Sequence, residues 1–434
     1  MRAMNDDQRG LPELETVAGD YLEREGPDLL DRWERHQAFW EARMAAGLDA
    51  QPRVMLDRVG PEAHVLTRGQ DRMRGVNFAS PDYLSLSTHP ALAQAAKEAI
   101  GRWGLGASGP VSVQGGSLPQ QVLEERIADL LCCRDATVFP SGWAATHSVL
   151  TTLLREEDHI ILDPAAHPAL REASARATPN RHAVSQSNPG AVAAYLALLR
   201  LRHPRAGLLV VAETICAADS GEHDLRALRD ACREHGATFM VCVGHDLGAI
   251  GNGGLGVLGE QGLAGEVDIV VGSFAASFGS AGGFVAGNAS GLKPALLAFA
   301  GPLQHATAFS PVQACIVLAA LDLLRSAEGA QRRRRLMANA LQLRQGLAAR
   351  AFTVPGRPSG IVPVEIGAIA DARRLTRAAI ARGGLVELVE HPEVPRYSAR
   401  WRLHVMADHT EAQIERIIGI AVAAREEAQP RLTG

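Results

Sequence analysis

The feature that most constrains the fold is an alternation that begins at Val76. Amphipathic stretches such as "HPALAQAAKEAIGRWG" and "LPQQVLEERIADLLCC" take turns with compact apolar runs: "ATVFPSG", "HIILD", "GLLVVAET", "TFMVCVG" and "VDIVVGS". The runs are rich in β-branched residues and bounded by Gly, Pro and Asp. The stretches between them place apolar residues at helical spacing. Repeated strand–helix–strand units require crossovers, so the pattern predicts an α/β fold with a mainly parallel sheet covered on both faces.

The 434 residues are enough for two or three packed units. We place a helical arm at 1–60, a large α/β domain at 61–315 and a smaller α+β domain at 316–434. In the arm, Leu29, Trp33, Phe39, Trp40 and Met44 recur at roughly helical spacing. They need a second surface, on a partner subunit or on the chain's own body. The small domain is expected to begin with one long helix, "VQACIVLAALDLLRSAEGAQRRRRLMANALQLRQGLAARA". The strands "FTVPG", "IVPVEIG" and "WRLHVMA" follow it.

Composition bears mainly on what to exclude. A net charge of -4 gives no reason to expect nucleic acid or an anionic membrane as partner. No apolar run reaches the ~20 residues needed to span a bilayer. The charged N-terminus has no apolar core of a signal peptide. Six cysteines without C-x-x-C spacing fit free thiols in a reducing cytoplasm, and no metal site is expected.

Ligands of such sheets bind beyond the carboxyl ends of the strands. That rule singles out Ser141-Gly142-Trp143, Asp163 to His167, Glu213 to Asp219, Cys242 to His245, and the loop inside "VVGSFAASFGSAGGFVAG" (Val270 to Gly287). In this loop Gly279, Gly282 and Gly283 permit close approach to the backbone. Its tip offers only Ala275, Ala276 and Ser277. His167 and His245 are candidate bases, with helix capping or a structural role as the alternative. Ser141-Gly142 opens a helix and presents free N–H groups suited to phosphate, or is a plain N-cap. "GNGGLG" (Gly251 to Gly256) matches a dinucleotide fingerprint, but no helix-forming run starts there, so it reads as a turn-rich connection. Arg332 to Arg335 read as a solvated helix face. Cys216 and Cys242 sit at strand ends without a clear adjacent base.

Taken together, the pieces resemble the α-oxoamine synthases of pyridoxal-phosphate (PLP) fold type I. That family includes 8-amino-7-oxononanoate synthase, glycine C-acetyltransferase and serine palmitoyltransferase. "NFASPDYLSLS" is similar to N-[FY]-x-x-x-[DN]-Y-L-x-L, "FPSGWAAT" to S-G-[YFW]-A-A-N, and "DPAAHPAL" to D-x-x-x-H-x-S. "HDLGAIG" resembles the end of D-[DE]-A-H-x-x-G-x-[LI]-G, and "GSFAASFGSAGGFVAG" resembles G-[TS]-[LF]-S-K-[AT]-[LF]-G-x-x-G-G-[FY]. The resemblance implies the fold type I architecture, a large domain with a mainly parallel seven-stranded sheet and a smaller α+β domain. It also implies joining an amino acid to an acyl thioester with loss of carbon dioxide. In the family a lysine holds PLP as an imine and an aspartate keeps the pyridine nitrogen protonated.

This sequence departs at those two positions. The lysine falls at Ala276 and the aspartate at Cys242. In "ETICAADSG" a serine and a methionine become Ala217 and Ala218. The arginine that often holds the substrate carboxylate falls at His404, and a histidine near "QVLEE" is Gln120. Retained are Ser141, Gly142, Trp143, His167, Glu213, Asp219, His245, Ser273 and Thr307, as a family-equivalent ligand pocket. Thr307 corresponds to a residue that reaches the phosphate across a dimer interface.

The resemblance therefore implies an acyltransferase relative without covalently bound cofactor, with His167 or His245 as base. Acyl-CoA or an acyl-carrier protein is the expected partner. Two alternatives stand beside it. One is a non-catalytic subunit paired with a lysine-bearing paralogue; the other is a binder of PLP or another phosphorylated ligand without covalent attachment. A homodimer or heterodimer is expected in each case.

Overall fold

The computed structural model describes residues 12–21, 25–48, 53–67 and 71–428. Its strands are β1 (Val54–Met55), β2 (Glu62–Leu66), β3 (Arg72–Asn77), β4 (Asp135–Phe139), β5 (His159–Leu162), β6 (Arg181–Ala183), β7 (Leu208–Glu213), β8 (Thr238–Cys242), β9 (Ile269–Ser273), β10 (Gly283–Gly287), β11 (Ile361–Gly367), β12 (Gly384–Leu385), β13 (Glu387–Val389) and β14 (Ala399–His404). Seven of them form the central sheet in the order β4-β10-β9-β8-β7-β5-β6. The pairs β5–β6, β5–β7, β7–β8 and β8–β9 are parallel. Only β10 runs against its neighbours, β9 and β4.

Every residue of β7 is buried, as expected for the middle of a sheet covered on both faces. Alternation then sorts the side chains. Val210, Val241, Val270 and Phe284 face one core with the helices Leu118–Leu131 and Pro189–Arg202. Leu209, Val211, Met240 and Val271 face the other, against Val149 and Leu170 of the helices Gly142–Leu153 and Pro168–Ala177. Glu213 and Cys242 continue this second face at the carboxyl ends of β7 and β8.

The rest of the chain frames that end. β3 pairs with β12, which ties residues 53–77 to the C-terminal part, and β11-β14-β13 form a third sheet. "FTVPG" forms no strand, only an isolated bridge between Thr353 and Glu365. The expected single long helix breaks at Ser326 into Pro311–Arg325 and Ala327–Ala348. There the Ser326 hydroxyl caps the second helix by accepting from Gly329 N at 3.2 Å. Arg332 and Arg333 do not form a solvated face. Arg332 donates to Leu84 O and pairs with Glu328 and Asp408, while Arg333 reaches Leu324 O. "GNGGLG" is a turn-rich connection, with positive φ at Gly251, Gly253, Gly254 and Gly256. It does lead into a one-turn helix, Gly256–Glu260.

The arm helix is Glu34–Ala45, and part of the expected arm (1–11, 22–24 and 49–52) lies outside the described residues. The arm rests on the chain's own body. Phe39 is buried and stacks on Tyr21 at 4.5 Å, and Arg43 pairs with Glu390. Leu29 and Trp33 stay exposed.

The tightest crossing lies where β10 meets the helix Gly142–Leu153. A Cβ on Gly283 would stand 2.5 Å from Gly142 Cα and 2.8 Å from Gly272 O, both backbone atoms that cannot swing aside. Gly283→Ala should therefore cost about 1–3 kcal/mol, read as a lower urea midpoint at unchanged slope.

Candidate functional site

Beyond the carboxyl ends of the strands, small residues build a cup. Ser141 accepts from Ala144 N at 3.1 Å and starts the helix Gly142–Leu153. A Cβ on Gly142 would stand 2.8 Å from Ser273 Cβ, so the helix start and the end of β9 touch because glycine is there. Ser273 Oγ accepts from Ala275 N at 3.2 Å. The first N–H groups of the helix and two hydroxyls thus converge, an arrangement that suits a phosphate or another anion. Trp143 leaves this cup 44% exposed, with its ring edge-on to His167 at 6.4 Å.

His167 and His245 come into the same region. Nδ1 of His167 accepts from Ala169 N at 3.2 Å and caps the helix Pro168–Ala177, which leaves Nε2 for the site. Burial lowers its pKa. His245 shares its Nδ1 with the Tyr83 hydroxyl at 3.0 Å. Burial first, then the charges of Arg402, His167 and His404, push His245 down to about 3. A base that weak takes little part in proton transfer near neutrality. Glu213 is the group matched to neutral pH. Burial pushes its carboxyl up to about 7, opposed by the His167 N–H, which donates to Oε2 at 2.9 Å.

The remaining expected residues divide. Cys242 is half-buried beside Glu213, its partner in the β7–β8 register. Asp219 turns to its own loop and accepts from Gly221 N at 2.8 Å. Thr307 is exposed on the loop before Ser310. The loop residue Ala276 is buried, and its carbonyl accepts from Tyr83 N at 2.9 Å. The Ser277 hydroxyl is buried without a partner among the described residues, and Ser277 Cβ packs toward Gly248 rather than the site. Gln120 is turned to Glu124.

The sequence singles out His404 but not its partners Glu387, Arg402 and Glu393. Nε2 of His404 meets Glu387 at 2.8 Å, and Arg402 grips the same carboxylate at 2.6 and 2.9 Å. Arg402 also pairs with Glu393 at 2.6 Å. Burial opposes the Glu387 charge, but the bonds from His404 and Arg402 win and hold its carboxyl at about 2. The period of two along β14 carries the signal that finds Arg402, since residues 402 and 404 share a face. The Tyr83 ring lies 6.0 Å from that of His404, so the network runs on to His245.

Among the described residues no group of His, Cys, Asp and Glu is placed to hold a metal ion, and no helix is long and apolar enough to cross a membrane. Comparison with known proteins agrees with the fold. The model of the family "aminotransferase class I and II" matches residues 74–420. The 8-amino-7-oxononanoate synthase of Pseudomonas putida strain F1 is 33% identical over 391 residues, 90% of this chain and 96% of that protein. Its namesake in Klebsiella pneumoniae strain 342 is 33% identical over 383 residues, 87% of this chain and 97% of that protein. A serine palmitoyltransferase from S. paucimobilis, solved with a PLP–myriocin aldimine, matches with a TM-score of 0.85 at 25% identity, covering 92% of this chain and 99% of that one.

The architecture is that of the PLP-dependent transferases of fold type I. The chain belongs to the aminotransferase class I and II family and, within it, to the α-oxoamine synthases.

The residues fit only one end of that cofactor. The cup suits its phosphate, but an imine needs an amine, and the chain has two lysines, Lys97 and Lys293. Lys97 is exposed on the helix Pro90–Trp103, and Lys293 is paired with Glu124 at 2.7 Å. At the end of β8 stands a thiol, held protonated by burial and by the Glu213 charge, which cannot balance a pyridinium.

Glu213 ties the site to stability. Its folded pKa lies above the value of 4.5 for a free glutamate. Below that value the group is protonated in both states and indifferent. As pH rises toward 7 the unfolded chain ionises first, and about 3 kcal/mol of stability is lost through this group. Glu213→Gln keeps an oxygen for the His167 N–H and removes the titration. Urea midpoints of the variant relative to wild type should rise between pH 5 and pH 8; a constant difference would contradict the raised pKa.

Proposed function

We propose that the chain is an acyltransferase of the α-oxoamine synthase family that uses an acyl thioester and works without covalently held PLP. The observation that carries the reading is Ala276 at the position of the family's lysine, in a chain whose two lysines lie elsewhere. The retained anion cup supports a phosphorylated ligand, and coenzyme A or the phosphopantetheine arm of a carrier protein brings phosphate and thioester together. Glu213, rather than either histidine, is the group suited to accept a proton near neutral pH. His167 holds Glu213 through its backbone N–H, and Trp143 edges the mouth. The network of Arg402, Glu387 and Glu393 occupies the guanidinium with carboxylates of this chain. A substrate carboxylate would have to displace them.

A second reading, a non-catalytic subunit that completes a lysine-bearing partner, is favoured by one observation. Thr307 is exposed close to a set of exposed apolar side chains that includes Leu105 and Val113, with Ser310 Oγ bonded to Leu105 O. Such a surface suits a homodimer or a heterodimer.

Borohydride reduction in the presence of PLP, followed by intact mass, tests the main reading. Wild type should keep its mass, and Ala276→Lys should gain one reduced cofactor. A gain by wild type, mapped to Lys97 or Lys293, would mean that one of these lysines carries the imine and would overturn the reading. An absorption change without added mass would point to PLP held without a covalent bond.

A further inference from the structure

Cys242 is the one cysteine that closes a strand of the central sheet at its ligand-binding end. β7 and β8 are parallel, and Glu213 and Cys242 are partners on the last rung of their ladder. Paired residues project from the same face, so the carboxyl and the thiol stand side by side above Val211 and Met240. Cys242 is half-buried at the carboxyl end of β8. Cys216 and Cys232 are buried, with the Cys216 thiol turned to Ala165 O. Cys132, Cys133 and Cys315 lie at or next to helices, away from the carboxyl ends of the strands.

The second observation is the state of Glu213. The residue is 8% exposed, with Oε2 taken by the His167 N–H. Among the described residues no group bonds Oε1. Oε1 is not sealed into the core, so it can meet a proton or a ligand that enters the site. The thiol of its ladder partner, Cys242, is a source for that proton on the neighbouring strand.

We propose that Cys242 takes the acyl group from an acyl thioester as a covalent intermediate, with Glu213 carrying the proton. The inference rests on the reading of this site as one that uses acyl thioesters. As Sγ attacks the carbonyl carbon, its proton moves to Glu213 Oε1. A new Sγ–C bond forms and the old C–S bond breaks. Glu213 then returns the proton to the departing thiolate. The products are acyl-Cys242 and a free thiol; nothing is oxidised or reduced, and one thioester replaces another at little net cost. The acyl group is then ready for a second nucleophile, an amine or a thiol.

Burial and the neighbouring charge keep the Cys242 thiol protonated at neutral pH, so attack requires a base within reach. Glu213, poised near 7, suits that task, and His245, near 3, does not.

The test incubates the full chain with octanoyl-CoA and reads intact mass after denaturation. One octanoyl group should add, map to the peptide holding Cys242, and leave with neutral hydroxylamine. Cys242→Ser should abolish the hydroxylamine-labile label and Cys216→Ser should leave it. Glu213→Gln should slow labelling on the order of a hundredfold, the lower end of general-base effects. It should also remove the rise in rate with pH that wild type shows below about 7. A non-reactive thioether analogue of octanoyl-CoA separates the two failures. Binding of the analogue without acylation, or acylation elsewhere, overturns the proposal alone. No binding overturns the acyl-thioester reading and the proposal with it.

Discussion

The parallel ladder of β7, β8 and β9 is the constraint on which the rest depends. It brings the carboxyl ends of three strands to one level, so Glu213, Cys242 and Ser273 reach the site from residues far apart in sequence. The helix Gly142–Leu153 can start directly against Ser273 because Gly142 and Gly283 leave no Cβ between the backbones. Burial that stabilises the sheet therefore also sets the chemistry: the same enclosure raises the Glu213 carboxyl and lowers the His245 imidazole. Acid and base roles follow from position within the fold more than from residue type.

The small sheet adds a second constraint. Arg402 is held by Glu387 and Glu393, and His404 by Glu387. Half-enclosed ion clusters of this kind contribute little net stability, because desolvation offsets attraction. What they do is fix geometry and charge. Through Tyr83 the cluster is linked to His245 and to the Ala276 carbonyl, so the loop that would present a lysine is held in place without one.

Much of this was legible in the sequence. The runs that became β4, β5, β7, β8, β9 and β10 are apolar enough to announce themselves, and the positions of Ser141, His167, Glu213 and Cys242 followed from the strand-end rule. The misses have physical reasons. β3 is "RMRGVN", a strand with charged residues on its outer face, and β6 and β12 span two or three residues, too short for any period. The helix break at Ser326 is set by a cap inside an otherwise continuous helical pattern. Tyr83 and His245 are 162 residues apart, and no local pattern predicts their hydrogen bond. Nor does sequence say that His245 is too weak a base, since that follows from what surrounds it in the fold.

The central claim is that the cleft of a PLP fold is kept while the covalent cofactor is not. Native mass spectrometry of the full chain as purified, without added cofactor, tests it most directly. The account predicts that each subunit carries the mass of the polypeptide alone and no PLP attached through an imine. A subunit mass higher by one PLP, surviving denaturation after borohydride treatment, would contradict it.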